Sequence, residues 1–451
     1  MRIIRHVSLV VAGFLLVQAA MFGLLMVGAA VPDMAVAARL SEDVDAGRYG
    51  PPTLEDRMGG TADTFTECVV AGTGLGAPEL GIVQRAALMP RLESCAGGEE
   101  QIRVLAAGGQ DDAAAYYFRY WAGYTAFTKP LIALFGLGGL RVLVGAALLA
   151  GLGALVWAIR RTVSLAAAVA LVAPLVLASN VMSTPSTSLS HALAIATYLA
   201  GAGGTALAAA RSLAWGLFAV GMSAAAFCFI DLLTTPAAGW MLSTSVIAGV
   251  TWSKSARLRE TALAAILAGA LWPVVFGATW VTRWIIAVPV AGFDVVRRDV
   301  AEKVLFRSSG DYEGVRSGFG APTSVNVDYW LDHISTAQVT TLAVVMVVAV
   351  VLGLLCRRSL ADGGNALSAL LAVGIIGSPA AIAVVWYEAL SNHSQIHEFF
   401  TYRNIPIALG VVAFAALAAL AAGRVVTLAA SNVAPDDACS PSGARPSGLS
   451  G

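Results

Sequence analysis

The chain has 451 residues, of which 58% are hydrophobic and 12% charged, whereas a soluble globular chain carries about 25% charged residues. Its mean hydropathy is +0.76, and its formal net charge of zero lacks the basic footprint of a nucleic-acid partner, which excludes that class. The apolar residues run in long blocks rich in Ala, Leu, Val and Gly, and a bilayer span needs about 20 such residues to cross roughly 30 Å of hydrocarbon.

The first block, 7–31, follows Arg2 and Arg5 and precedes Ala35-Val36-Ala37, which looks cleavable. It is longer than the apolar region of a signal peptide, so a retained helix is expected. A long polar segment, 32–138, comes next. It contains Asp63-Thr64-Phe65-Thr66-Glu67, whose two carboxylates share a side if the segment is helical. Cys68 and Cys95 lie in the same segment, and an oxidising compartment favours a disulfide between them over free thiols. The aromatic run Tyr116 to Tyr124, with Arg119, Tyr120, Trp121 and Gly123, and then Lys129-Pro130, reads as an amphipathic stretch lying in the membrane interface. The glycine within it suggests that something packs close.

The remaining spans are expected at 139–159, 164–182, 191–210, 212–232, 237–252, 261–284, 338–356, 366–390 and 405–423. Arg141 begins the second span, His191 the fourth, and Asp231 ends the fifth before Thr234-Thr235-Pro236. Arg283 ends the seventh beside Trp280 and Trp284. The predicted fold is therefore an all-α integral membrane protein with about ten transmembrane helices. Arg160, Arg161, Arg211, Lys254, Arg257, Arg259, Arg357 and Arg358 fall in the short connections. Basic short loops face the cytoplasm, so both termini are expected inside. The segments 32–138 and 285–337 are then large extracytoplasmic loops, the first carrying short interfacial helices. Residues 1–430 form one membrane domain, followed by a Pro/Ser/Gly-rich, disordered cytoplasmic tail at 431–451. Cys228, Cys356 and Cys439 should stay reduced, in spans or tail.

The densest polar stretch is Asn392-His393-Ser394-Gln395-Ile396-His397-Glu398-Phe399-Phe400-Thr401-Tyr402-Arg403-Asn404, between the last two spans. His393 and His397 have the i, i+4 spacing of helical zinc pairs, but no third ligand is evident, and no metal site is expected. Arg403 offers a bidentate fork for phosphate, and the imidazoles with Asn392 can add donors, which reads better as an anion clamp. Ionisable groups are costly near membrane depth, so their convergence at the outer helix ends carries a functional expectation.

Three of these segments resemble motifs of a bacterial group of multi-span proteins that look like GT-C glycosyltransferases. That group has Asp-Asn-aromatic-Thr-Asp in its first outer loop, Arg-Tyr-Trp-His-Gly-Tyr with Arg-Pro after it, and Asn-His-Ser…His…Phe-Thr-Tyr-Arg near the C-terminus. The chain is similar at Asp63 to Glu67, at Arg119 to Tyr124 with Lys129-Pro130, and at Asn392 to Arg403. It departs at Glu67, Ala122 and Lys129, which stand for Asp, His and Arg. The resemblance implies transfer of a sugar from a polyprenyl-phosphate donor to a glycan or protein acceptor outside the plasma membrane. It implies a carboxylate base, Asp63 with Glu67 second, and a phosphate held by Arg403, His393, His397, Asn392, Arg141 or Lys129. Arg119, Tyr120, Trp121, Tyr124 and Tyr402 would line the sugar or prenyl groove, with Asp231, His191 and Arg283 as further candidates. No cofactor is demanded; paired carboxylates could bind a divalent cation, and arginine clamping would make it dispensable. Asp63 and Arg403 should line one pocket, with room for a sugar between them. Two other classes fit the composition: a flippase for lipid-linked sugars, which should carry midplane charge, and a non-enzymatic envelope assembly protein.

Overall fold

A computed structural model describes residues 2–50, 54–55, 61–309, 312–355 and 366–421. The predicted tail, Cys356 and Cys439 lie outside these. Helix α1 spans Arg2–Ala29 and α2 Asp33–Asp45. Two short antiparallel ribbons follow, Leu54–Glu55 (β1) with Thr61–Ala62 (β2), and Pro90–Arg91 (β3) with Ala115–Tyr116 (β4). Between and after them lie α3 (Thr64–Gly72), α4 (Ile82–Leu88), α5 (Ala96–Ala106) and the long α6 (Thr125–Thr162). Then come α7 (Leu165–Leu177), α8 (Thr184–Thr187), α9 (Leu189–Arg211), α10 (Leu213–Ile230), α11 (Pro236–Ser255) and α12 (Leu258–Ala291). The second polar segment folds as α13 (Phe293–Ser308) and α14 (Ala321–His333). The chain ends in α15 (Thr336–Leu355), α16 (Ala366–Gly377), α17 (Ile382–Ala389), α18 (Ser391–Ile396), α19 (Glu398–Thr401) and α20 (Asn404–Leu420).

Each of the ten predicted spans contains helix, and among the described residues eight helices are long and apolar enough to cross a membrane. This is the architecture of an α-helical membrane protein. The other two stretches differ for separate reasons. The predicted span 164–182 stops after 13 residues of α7, and the chain then bends by 70° into Val181–Thr187. Pro174 removes a backbone donor, and at the bend the Ser179 hydroxyl donates to Leu175 O and accepts from the Val181 N–H in place of continued helix. Helix α11 is full length but rich in Ser and Thr. Sixteen of its residues are buried, so it meets neighbouring helices and not lipid. Two of its hydroxyls are satisfied by helix carbonyls: Ser253 donates to Gly249 O at 2.9 Å, and Ser245 to Ile376 O at 2.8 Å.

Where water gives helices no drive to associate, close backbone approach must do the work. A Cβ on Gly410 of α20 would lie 2.2 Å from the Leu171 carbonyl of α7, and one on Gly151 of α6 would lie 2.8 Å from the Ala196 carbonyl of α9. These glycines permit close backbone approach where α20 crosses α7 and α6 crosses α9. Lys254, ending α11, donates to the Ala209 and Ala210 carbonyls at the end of α9. It neutralises the negative end of that helix, and it shows that α9 and α11 finish at the same end of the bundle.

Helix α6 begins 14 residues before the predicted span because it is two helices joined at Gly136, whose φ of 67° only glycine adopts without strain. The break frees the Leu137 N–H, which donates to the buried Asp43 carboxylate at 2.6 Å, and Arg48 neutralises Asp43 from its other oxygen at 2.5 Å. Asp33 binds Lys129 at 3.2 Å and Arg85 at 2.5 Å, while both cations also donate to Gly74 O. Helix α2 is thereby tied to α6. Cys68 and Cys95 form a disulfide joining α3 to the start of α5, across a sequence separation of 27. A loop of that length corresponds to roughly 3.5 kcal/mol in the chain-entropy account. Cys68→Ser with Cys95→Ser should lower the thermal midpoint of the detergent-solubilised chain; an unchanged midpoint would mean that packing alone holds this region.

Candidate functional site

The aromatic run before α6 packs largely into the protein instead of lying as an exposed amphipathic stretch. Tyr120, Trp121 and Tyr124 are buried; Trp121 donates to Thr279 O at 2.7 Å, and Tyr124 donates to Thr73 Oγ1 at 3.3 Å. Gly123 admits Phe229, whose ring carbon would lie 2.4 Å from any Cβ there, and its N–H bonds Phe229 O at 2.7 Å. The fully buried Arg283 donates to Tyr120 O at 2.8 Å and to Ala86 O at 3.1 Å. Arg119 faces Asp299 at 3.5 Å, and its carbonyl accepts from the Trp280 and Trp284 indoles. The run is thus a strap across the end of α12, held by obligatory backbone bonds.

That strap, the start of α3, the α10–α11 connection, the end of α13 and the α18–α19 segment surround a cavity of about 390 Å³. Asp63, Tyr117, Tyr120, Thr234, Arg307, His393 and His397 line it, with Phe65, Ile396 and Phe399 as an apolar side. Four residues singled out from sequence therefore meet there: Asp63, Tyr120, His393 and His397.

Asp63 caps α3. Its φ and ψ of −87° and 62° are not helical, and its Oδ1 accepts from the Thr66 N–H at 3.0 Å. The sequence suggested that Asp63 and Glu67 share a helix side, but the cap turns Asp63 toward the cavity. Glu67 points elsewhere, into an ion pair with Arg141 and a bond from the Leu189 N–H at 3.3 Å. Burial pushes the Glu67 carboxyl up against the opposing pull of Arg141. Arg141 also donates to Arg48 O at 2.8 Å. Glu67, Arg141 and Lys129 do not line the cavity. Each is consumed in fastening α2, α3, α6 and α9 together.

Behind Asp63 is a row of buried polar groups. His191 Nε2 lies 3.1 Å from Asp63 Oδ2, slightly off the direction of a well-formed hydrogen bond. Arg403 Nη1 is 2.9 Å from His191 Nδ1, and Arg403 Nε donates to Asn180 Oδ1 at 2.7 Å. The Asn180 N–H in turn donates to the Tyr402 hydroxyl at 3.0 Å. Because a guanidinium only donates, His191 Nδ1 must accept, which leaves the imidazole proton on Nε2, facing Asp63. Burial pushes the Asp63 carboxyl up, but contacts with His191 and with the Thr66 hydroxyl and N–H outweigh it and bring it down to about 2. Asp63 is thus a carboxylate at neutral pH. Arg403 was expected to line the pocket with room for a sugar between itself and Asp63. Instead His191 fills that space, and both sides of the imidazole are occupied.

His393 lies with its Nε2 2.8 Å from Leu233 O, its ring 4.8 Å from that of His397. Burial, then the proximity of His397 and Arg307, holds His393 well below the usual imidazole range; burial likewise brings His397 to about 4. Both rings are neutral at pH 7. Asp231 is buried and closes the α10–α11 turn by accepting from the Thr234 N–H at 2.8 Å. Asn392 borders a second, more open cavity of about 930 Å³, next to Ser308, Tyr312 and Phe319.

Arg307 was not among the residues singled out from sequence. Its guanidinium sits over the Tyr120 ring, 5.3 Å from the centroid, and no carboxylate pairs with it among the described residues. The available signal was Lys303 and Arg307 at i, i+4, a pattern visible only if 293–308 is read as helix and not as loop. Among the described residues, no group of three or more His, Cys, Asp or Glu side chains could hold a metal ion. No family model, no curated protein and no solved structure matches the chain.

Proposed function

We propose that the chain is a glycosyltransferase of GT-C type in the plasma membrane, moving a sugar from a polyprenyl-phosphate donor to a glycan or protein acceptor outside. The observation that carries this reading is one cavity lined by the Asp63 carboxylate and by the Arg307 guanidinium, which pairs with no carboxylate among the described residues. Phe65, Ile396 and Phe399 give that cavity an apolar side suited to the first isoprene units of a lipid. Ten helices crossing the bilayer, with both termini inside, would put the cavity at the outer interface, where prenyl chain and water meet. The basic residues Arg160, Arg161, Arg211, Lys254 and Arg257 support that orientation. A cysteine replacing exposed Phe319 should then react with an impermeant thiol reagent from outside, and one replacing Arg257 should not; the opposite pattern would reverse the topology.

In the reaction, the acceptor oxygen forms a bond to the anomeric carbon as the carbon–oxygen bond to phosphate breaks. The electron pair leaves with the phosphate, facing Arg307, and the hydroxyl proton passes to Asp63. A carboxylate as acidic as Asp63 is a weak base toward a free hydroxyl. In an oxocarbenium-like displacement it needs to accept the proton only after the new bond has made that hydroxyl acidic. Arg403 then serves as the residue that orients His191, not as the phosphate clamp. The test is release of polyprenyl phosphate from polyprenyl-phosphoryl pentose or hexose by the nanodisc-embedded chain supplied with envelope acceptors. Absence of release with every donor would remove the enzyme reading.

A further inference from the structure

The neutral histidines on the cavity wall carry information about the ligand. A backbone carbonyl only accepts, so the 2.8 Å contact between His393 Nε2 and Leu233 O requires the proton on Nε2. His393 Nδ1 is then a bare lone pair. It is buried, it has no hydrogen-bond partner among the described residues, and His393 lines the cavity. His397 Nδ1, on the neighbouring ring, is likewise buried without a partner among the described residues. An acceptor left unpaired in a protein interior is costly, and such atoms are normally met by water or ligand. The ligand group that fits His393 must donate. The ionised phosphodiester of a lipid-phosphoryl sugar has no proton to donate, and a sugar hydroxyl has one.

We propose that His393 Nδ1 is a recognition point for a hydroxyl of the transferred sugar, dividing the cavity into a hydroxyl-reading wall at His393 and an anion-binding side at Arg307. The sequence had grouped His393 with the phosphate ligands, and the fixed tautomer reverses its role. Low basicity of the imidazole agrees with this, since a ring that remains neutral keeps its lone pair across the physiological range. The division also accounts for two imidazoles standing near a guanidinium without competing for the same anion. His393 thereby becomes a specificity determinant, because a donor lacking the matching hydroxyl leaves Nδ1 unpaired.

The inference rests on the donor reading above, and the test separates the two. His393→Gln is the informative variant: its side-chain amide nitrogen can take the place of Nε2 and keep the bond to Leu233 O, while nothing replaces the Nδ1 acceptor. Binding of three probes to the full chain in nanodiscs would be measured: farnesyl phosphate, farnesyl-phosphoryl hexose and farnesyl-phosphoryl pentose. In the wild type, at least one sugar-bearing probe should bind more tightly than farnesyl phosphate. His393→Gln should weaken that probe by about tenfold, the loss of one hydrogen bond, and change farnesyl phosphate less than twofold. Equal weakening of all probes would mean that His393 only shapes the cavity. No weakening of any would mean that water satisfies Nδ1; either result overturns the inference and leaves the donor reading standing. A wild type that binds none of the probes would overturn both.

Discussion

Asp63→Asn is expected to reduce sugar transfer by about 10²–10⁴-fold, the usual contribution of a positioned general base, while farnesyl phosphate still binds within a few-fold of wild type. The amide has nearly the carboxylate's shape, and its oxygen can still accept from the Thr66 N–H that Oδ1 accepts now. Its nitrogen then meets His191 Nε2, which also bears a proton. The imidazole cannot relieve this conflict by moving its proton, because Nδ1 faces the Arg403 guanidinium at 2.9 Å. The variant therefore loses its base and also loosens α3 at its cap, so its thermal midpoint belongs beside the turnover measurement. Arg307→Gln gives the contrasting result: weaker binding of farnesyl phosphate, because the guanidinium lining the cavity is gone, with the Asp63 surroundings unchanged. Undiminished turnover in Asp63→Asn would leave the proposed chemistry without a base. Glu67 could not take over without giving up Arg141 and the Leu189 N–H.

How much of this was legible beforehand depends on whether a residue's partners are local. Hydropathy located all ten helical stretches, because a block of Leu, Val and Ala has one low-energy state in hydrocarbon. It missed the early start of α6 and the short α7, since both depend on where freed backbone groups find partners. The Leu137 N–H finds Asp43, 94 residues away, and no window of sequence contains both. The polar segments showed which residue types matter and not what each one touches. Lys129 and Arg141 have the charge to bind phosphate, yet Asp33 and Glu67 already neutralise them. Arg403 has the same charge and is occupied by two neutral groups, Asn180 and His191. Arg307 lay in a stretch read as loop; it lines the cavity and, among the described residues, pairs with no carboxylate. Which arginine keeps its charge available is decided by the fold, through the partners the others acquire. Gly123 was the exception: its position among large aromatics implied a close neighbour, and Phe229 is that neighbour.

The row from Arg403 through His191 to Asp63 makes a prediction that a purely structural histidine would not. The Asp63 carboxyl lies at about 2 because its hydrogen-bonded contacts outweigh burial. Its folded value is below the ordinary carboxylate range, so these contacts stabilise the fold above that range and the stabilisation is lost as pH falls toward about 2. Two variants divide the contribution of His191. His191→Gln can present an amide N–H where Nε2 now sits, keeping a donor for Asp63. His191→Asn can present an oxygen where Nδ1 now sits, keeping the acceptor for Arg403 but leaving Asp63 Oδ2 without a donor. In His191→Asn burial is opposed only by Thr66, so the carboxyl should take up its proton at higher pH. The acid limb of the turnover profile should move to higher pH with it, and below that limb turnover should fall about tenfold for each further pH unit as ionised carboxylate is lost. In His191→Gln the limb should stay close to wild type. Carbon-13 resonances of labelled aspartate side chains report the same titration without turnover, and Asp63→Asn assigns the signal. Coincident acid limbs and aspartate titrations in both variants and the wild type would mean that His191 only fills space between Arg403 and Asp63, and that the acidity of Asp63 comes from its cap on α3.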